Sequence, residues 1–127
     1  HVECGDHYYR AMSSWGVLLA ATGFKIDVPR RTLTIAPAVQ QLSVRAPWVS
    51  STGWGSFERT VRRVVLRCQA GSISFKELRA KLPAKGVTVT LNGRRLAVTV
   101  SARDGLATVV FRNAITLNTG DELTVNA

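Results

Sequence analysis

The chain has 127 residues, a length suited to one domain with a modest core. Its apolar fraction of 46% argues against disorder, and its longest apolar run, Gly16-Val-Leu-Leu-Ala-Ala21, is too short to span a bilayer. The formal net charge of +9 sits almost entirely in residues 30–95, where thirteen Lys and Arg face only Glu58 and Glu77. That basic centre suits a nucleic acid or an acidic partner, and suits equally well the solvated face of basic strands. No basic segment precedes an apolar core at the start, so a secretory signal is not expected and localisation stays open. Cys4 and Cys68 are far apart and make no metal-type pair, which predicts two buried thiols and no disulfide framework.

The first sixteen residues are crowded with chemistry. Glu3, Cys4, Asp6, His7, Tyr8, Tyr9 and Arg10 stand directly ahead of an apolar run. Termini fray unless tied down, so a site built at a chain end is expected to belong to a larger enzyme. Asp6 can cap a helix that runs to about Thr22, with Tyr8, Ala11, Met12, Trp15, Leu18, Leu19 and Thr22 on one stripe. Gly23 suits the left-handed C-terminal position, and Phe24 can close the hydrophobic contact that accompanies such a cap. Tyr9, Val17 and Ala20 lie on the opposite face, so the helix is apolar almost all round and is expected to be buried among neighbours.

From residue 24 the period changes to two. Phe24–Asp27 and Thr32–Ile35 alternate around a turn at Val28-Pro-Arg-Arg31. Residues 36–60 carry Pro, Ser and Gly with Trp48, Trp54 and Phe57 among them, and read as a loop and one irregular strand. Val61–Cys68 is β-branched and strand-like, and Ser72–Phe75 alternates as another strand. Residues 75–82 are ambiguous between strand and a helical turn. Val87–Leu91, Asn92-Gly93 and Arg94–Ser101 form a hairpin signal, because Asn-Gly supplies the positive φ angles of a type I′ turn. Asp104-Gly105 makes a second turn before Leu106–Arg112, and Glu122–Val125 ends the series. The expected fold is therefore α+β: one long apolar helix followed by an antiparallel β-sheet or small β-sandwich. The expected divisions are 1–24, 25–60 as connecting strands and loop, and 61–127 as the C-terminal β region.

Arg10 follows Asp6 by one helical turn and is flanked by aromatic residues. Its planar fork suits two oxygens of a sugar or carboxylate, although a solvated helix-face arginine reads the same way. Glu3 and Asp6 are either sugar-hydroxyl acceptors or acids favoured by the helix dipole. His1, Cys4 and His7 match no metal spacing, so no metal is expected. No phosphate loop, dinucleotide glycine pattern or Ser-His-Asp order is present, and no cofactor is expected. Trp48 and Trp54 are candidates for a stacking platform or for sheet packing. Arg59, Arg62, Arg63 and Arg67 lack a nucleic-acid motif.

The run Glu3-Cys-Gly-Asp-His-Tyr-Tyr-Arg-Ala-Met-Ser-Ser-Trp-Gly16 resembles the C-terminal part of glycoside hydrolase family 116. That family holds β-glucosidases, β-xylosidases and the non-lysosomal glucosylceramidase. Leu18-Leu-Ala-Ala-Thr-Gly-Phe24 continues the likeness, and Gly53-Trp-Gly-Ser-Phe57 resembles the family's later tryptophan segment. The resemblance implies an N-terminal β-sandwich and a catalytic (α/α)6 toroid whose last helix is residues 6–23. It implies retaining hydrolysis by a glutamate nucleophile and an aspartate acid/base, neither of whose motifs occurs here. Arg10 matches the arginine that holds glucosyl hydroxyls in the nonreducing-end subsite, and Glu3 is a candidate for its acidic partner. The β tail is longer than the minimal family pattern. The partners implied are a β-glycoside through the parent enzyme, and the remainder of the catalytic domain or a second copy. Neither a membrane nor a nucleic acid is expected. The alternative is a non-catalytic, β-rich carbohydrate-binding or interaction module, and the chain alone is expected to be inactive.

Overall fold

A computed structural model describes residues 7–38 and 43–127, with side chains in the first helix from Ser14 onward. Among the described residues the order is a helix α1 (His7–Thr22), then strands β1 (Phe24–Asp27), β2 (Thr32–Ile35), β3 (Ser43–Val49), β4 (Gly53–Thr60) and β5 (Arg63–Ala80). Strands β6 (Thr88–Leu91), β7 (Arg94–Leu96), β8 (Val98–Arg103), β9 (Leu106–Asn118) and β10 (Glu122–Asn126) complete it.

The 18-residue β5 belongs to two sheets. Its first half pairs antiparallel with β4 and with β10, from Arg63↔Asn126 to Arg67↔Glu122. Its second half pairs with β9 on one side, and on the other takes β2 in parallel, from Thr32↔Glu77 to Ile35↔Ala80. One sheet therefore reads β1-β2-β5-β9-β8 and the other β3-β4-β5-β10-β6-β7. Between Phe75 and Glu77 the strand bulges, and the amides of Lys76 and Glu77 both donate to the Arg31 carbonyl, at 2.8 and 3.1 Å. A bulge re-aims a strand locally, and here it lies in the half of β5 that pairs with β2 and β9.

The inner faces form one core. Leu33, Ile35, Leu78 and Val109 from one sheet join Trp48, Phe57, Leu66 and Leu123 from the other in a single buried cluster. Burial alternates strictly along β3, as period-two side chains of a half-buried strand require. Within the segment 75–82, residues 75–80 become strand rather than a helical turn for a tertiary reason. Leu78 and Ala80 point inward, and backbone partners stand on both sides of them, which overrides a weak helical propensity. The stretch Arg94–Ser101 is broken at Ala97, so that the chain leaves one sheet as β7 and enters the other as β8.

The expected α+β class is corrected by these pairings. The molecule is a predominantly β domain built on two sheets, with the helix peripheral to it, rather than an α+β fold of one long apolar helix followed by a sheet. The two sheets close the core on each other and leave α1 outside. From Ser14 to Ala20 every residue of α1 is exposed, and only Thr22 at its last turn is buried. The β-sheet is also mixed, through β2 and β5, rather than antiparallel throughout.

Asn92 and Gly93 take φ values of 50° and 79°, as the hairpin turn requires. The Asn92 side chain does more than turn the chain: Nδ2 donates to Asp121 Oδ1 at 2.7 Å, and Oδ1 accepts from the Glu122 amide at 2.8 Å. The Asn118 amide donates to Asp121 Oδ2 at 2.8 Å. Two donors favour the ionised carboxylate, and hold the Asp121 pKa below its ordinary value of 3.8, the Asn118 amide first and Asn92 second. A depressed pKa stabilises the fold above the ordinary value, and that stabilisation fades as pH falls through the folded-state value. Asp121→Asn should lower the denaturation midpoint at pH 7, and the gap from the wild type should narrow towards pH 2–3. A gap independent of pH would show that the carboxylate charge is not involved.

Candidate functional site at the junction of the helix and the tryptophan hairpin

Gly23 joins α1 to the sheets. Its φ is 60°, its amide donates to the Leu19 carbonyl at 3.0 Å, and its carbonyl accepts from the Ala36 amide at 3.0 Å. A Cβ there would overlap the Ala36 carbonyl, so both the left-handed backbone and the close approach require glycine. Phe24, the next residue, stacks on Trp48 with centroids 6.0 Å apart and on Phe57 at 5.8 Å. Trp48 is 1% exposed, and its indole N–H donates to the Arg67 carbonyl at 3.0 Å. Gly55 stands directly opposite Trp48 on β4. A Cβ on Gly55 would overlap the Arg67 carbonyl and lie 2.8 Å from the indole nitrogen. The segment Gly53–Phe57 thus has a physical reading: Gly55 makes room for Trp48, and Phe57 closes the stack.

An apolar cleft of about 340 Å3 lies between α1 and β3. Trp15, Leu18 and Leu19 line one side, and Pro47, Trp48 and Val49 the other. Trp15 is 62% exposed. Burying an aromatic or a leucine contributes about 1.5–3 kcal/mol, so this surface carries a large unspent driving force for association.

Of the residues expected to bind sugar, Glu3 lies outside the described residues, as do Cys4 and the Asp6 cap. Arg10 lies within α1, and its side chain is not among those described, nor is that of His7. Trp48 and Trp54 do not form a joint stacking platform. They occupy opposite faces of the hairpin, Trp48 in the core and Trp54 outside at 51% exposure, paired with the exposed Val49.

The basic segment is largely committed to structure. Arg59 is buried and donates through Nε and Nη2 to the Lys81 carbonyl at 3.3 and 2.9 Å. Arg62 donates to the Ala127 carbonyl at 2.7 Å, and Arg67 to Glu122 at 2.7 Å across the strand pair. Cys68 is buried. Burial pushes its thiol pKa up, with the Asp121 charge adding to the effect. A thiol so placed is a poor nucleophile. Among the described residues no group of three His, Cys, Asp or Glu is placed to hold a metal ion, and no helix is long and apolar enough to cross a membrane.

Comparison with family models and with curated proteins returned no match. The functional reading therefore rests on residues and geometry.

Gly55→Ala should destabilise the domain by about 1–3 kcal/mol, the usual cost of forcing volume into a packed core. A denaturant titration followed by tryptophan fluorescence would measure it. A loss below about 0.5 kcal/mol would mean that the Trp48 pocket relaxes freely.

Proposed function

We propose that this chain is the C-terminal portion of a retaining β-glycosidase acting on β-glucosides or β-xylosides. In this reading it forms part of the sugar subsite through Arg10 and Glu3 and supplies neither catalytic carboxylate. The observation that carries the reading is the meeting of the two segments that resemble glycoside hydrolase family 116. Phe24, which ends the first, stacks on Phe57, which ends the second, with Trp48 of the neighbouring strand on the same ring. Segments far apart in the chain converge on one buried junction, from which the helix that carries Arg10 departs.

The exposed face of α1 supports the same reading. Trp15, Val17 and Leu19 are open to solvent on the helix that carries Arg10. A catalytic domain packed on that face would cover them and bring the helix to its pocket. Apolar patches of this kind mark interaction surfaces.

Retaining hydrolysis requires two carboxyl groups about 5 Å apart across the glycosidic bond, one as nucleophile and one as acid/base. The described carboxylates are otherwise employed. Asp27, Glu58, Glu77 and Glu122 pair with Arg30, Arg45, Arg79 and Arg67. Asp104 faces Arg103, and Asp121 is held by Asn92 and Asn118. The reacting pair belongs to the rest of the enzyme. The contribution of this chain is binding: the Arg10 guanidinium donates to two sugar hydroxyl oxygens in one plane, and Glu3 accepts from a hydroxyl.

The 127-residue chain alone should show no turnover of aryl β-glucosides or β-xylosides. In the enzyme that carries it, Arg10→Ala should lower kcat/KM roughly 30- to 1,000-fold, about 2–4 kcal/mol of lost transition-state binding. An effect below threefold would place Arg10 outside the subsite, and turnover by the isolated chain would overturn the division of labour.

A further inference from the structure

The outward face of the sheet β1-β2-β5-β9-β8 has a use that the glycosidase reading does not absorb. Register places Lys25, Thr34, Arg79, Thr108 and Ser101 in one row across five strands. Asp27, Thr32 and Glu77 stand in the next row. The core-facing neighbours Ile26, Leu33, Leu78 and Val109 point the other way, so these polar side chains share the outer side of the sheet, where Thr32 and Thr108 are buried. A cleft of about 430 Å3 opens there, lined by Lys25, Arg30, Arg79 and Arg103. Asp27, Thr32 and Thr34 complete its wall; Arg30 pairs with Asp27 and Arg79 with Glu77 of the next row, so the uncompensated charge rests mainly on Lys25 and Arg103.

We propose that this cleft is an oxyanion-binding site that takes a phosphate or sulfate group. Strands lie about 4.8 Å apart, so Lys25 and Arg79, two strands from each other, are separated by about 10 Å. Their long side chains close that distance around one anion. Lys25 has no ion-pair partner among the described residues, and Arg103 has only a 3.8 Å approach to the exposed Asp104. Arg79 gives its Nε to Glu77. A guanidinium carries five N–H donors, so the two Nη groups of Arg79 remain for a ligand. The Thr34 hydroxyl adds a neutral donor to the same wall, whereas the Thr32 hydroxyl donates to the Arg30 carbonyl at 3.3 Å.

A second observation comes from Thr108, the register partner of Arg79 on this face. It is 5% exposed, and its hydroxyl is a buried side-chain oxygen without a hydrogen-bond partner. Native interiors rarely leave such a group unpaired unless a function uses it. Thr108 is not part of the cleft wall itself; it stands in the row that carries Arg79, at the register position next to it.

The face also says what the ligand is not. Neither row carries an aromatic side chain for stacking bases, and single-stranded nucleic acid is held largely by such stacking. Charge and hydroxyl donors alone fit a phosphate or sulfate, free or carried on a sugar.

The test is an amide NMR titration of the protein with inorganic phosphate at fixed pH and ionic strength. Saturable shifts are expected at Thr34, Arg79 and Thr108. Lys25→Gln, an exposed change that leaves the core untouched, and Arg79→Gln should each weaken binding about tenfold or more, the effect of losing a charged hydrogen bond. Arg94→Gln with Arg95→Gln removes two exposed cations on β7 and should change the affinity less than twofold. Tighter binding of a glucose 6-sulfate probe than of inorganic sulfate would support a sugar-borne group, and equal binding would support the free anion. Shifts that stay linear, or that fall equally on Arg62, Arg94 and Arg95, would overturn the site. So would a single-stranded oligonucleotide that binds more tightly across those residues. The titration and its variants involve neither Arg10 nor Glu3, so its failure and that of the glycosidase reading are separate results.

Discussion

Backbone amides and carbonyls in an apolar interior must find one another, because an unpaired one costs about as much as a lost hydrogen bond. In this domain β5 meets that requirement for both sheets at once. It is flanked by β4 and β10 along its first half and by β2 and β9 along its second. Every other strand is attached to it directly or through one or two neighbours. β5 also gives side chains to both halves of the core: Val64 and Leu66 along its first half, Ile73, Phe75, Leu78 and Ala80 along its second. Proline, which cannot donate a ladder hydrogen bond, would be tolerated nowhere along most of it. It is absent from β5, and Pro47 lies on β3, which has a hydrogen-bonded neighbour on one side only.

Local signals in the chain were legible where one or two residues decide the geometry. The helix end at Gly23, the β1–β2 turn, and the Asn92-Gly93 and Asp104-Gly105 turns all follow from residues that tolerate positive φ or preset a turn. The misreadings share one cause, which is pairing between distant segments. Residues 75–82 have a mixed local preference, and only the partners β2 and β9 decide it. The break at Ala97 has no local signal, since residues 94–101 alternate well enough for one strand. The weight given to the helix in the fold class was misjudged for the opposite reason. Its apolar surface is real, but the two sheets satisfy each other and leave that surface unpaired.

The same distinction separates the two candidate sites. The arginine in the first helix can be picked out because its neighbours in sequence are unusual. Lys25, Arg79 and Arg103 cannot, because each is an ordinary basic residue on an alternating strand. They become a cluster only through the register of β1, β2, β5, β9 and β8. The run of arginines that stands out in the sequence is a different set. Arg59, Arg62 and Arg67 are close in sequence, and each gives at least its Nε to a structural partner: the Lys81 carbonyl, the Ala127 carbonyl and Glu122.

The division of labour within the domain follows from these placements. One end, around Phe24, Trp48 and Phe57, is rigid, because stacked rings and a glycine without room for a Cβ allow little adjustment. A helix leaving such a base at Gly23 has a fixed direction, whatever its far end meets. That is a suitable way to hold a binding arginine, since the positioning of a donor within about half an ångström decides its value to a bound ligand. The charged outer face of the other sheet needs no such precision. Long, exposed Lys and Arg side chains adapt to an anion at the cost of their own rotamer freedom. A rigid base for an oriented contact and an adaptable face for a charged one are what the two sheets provide when they share a single strand.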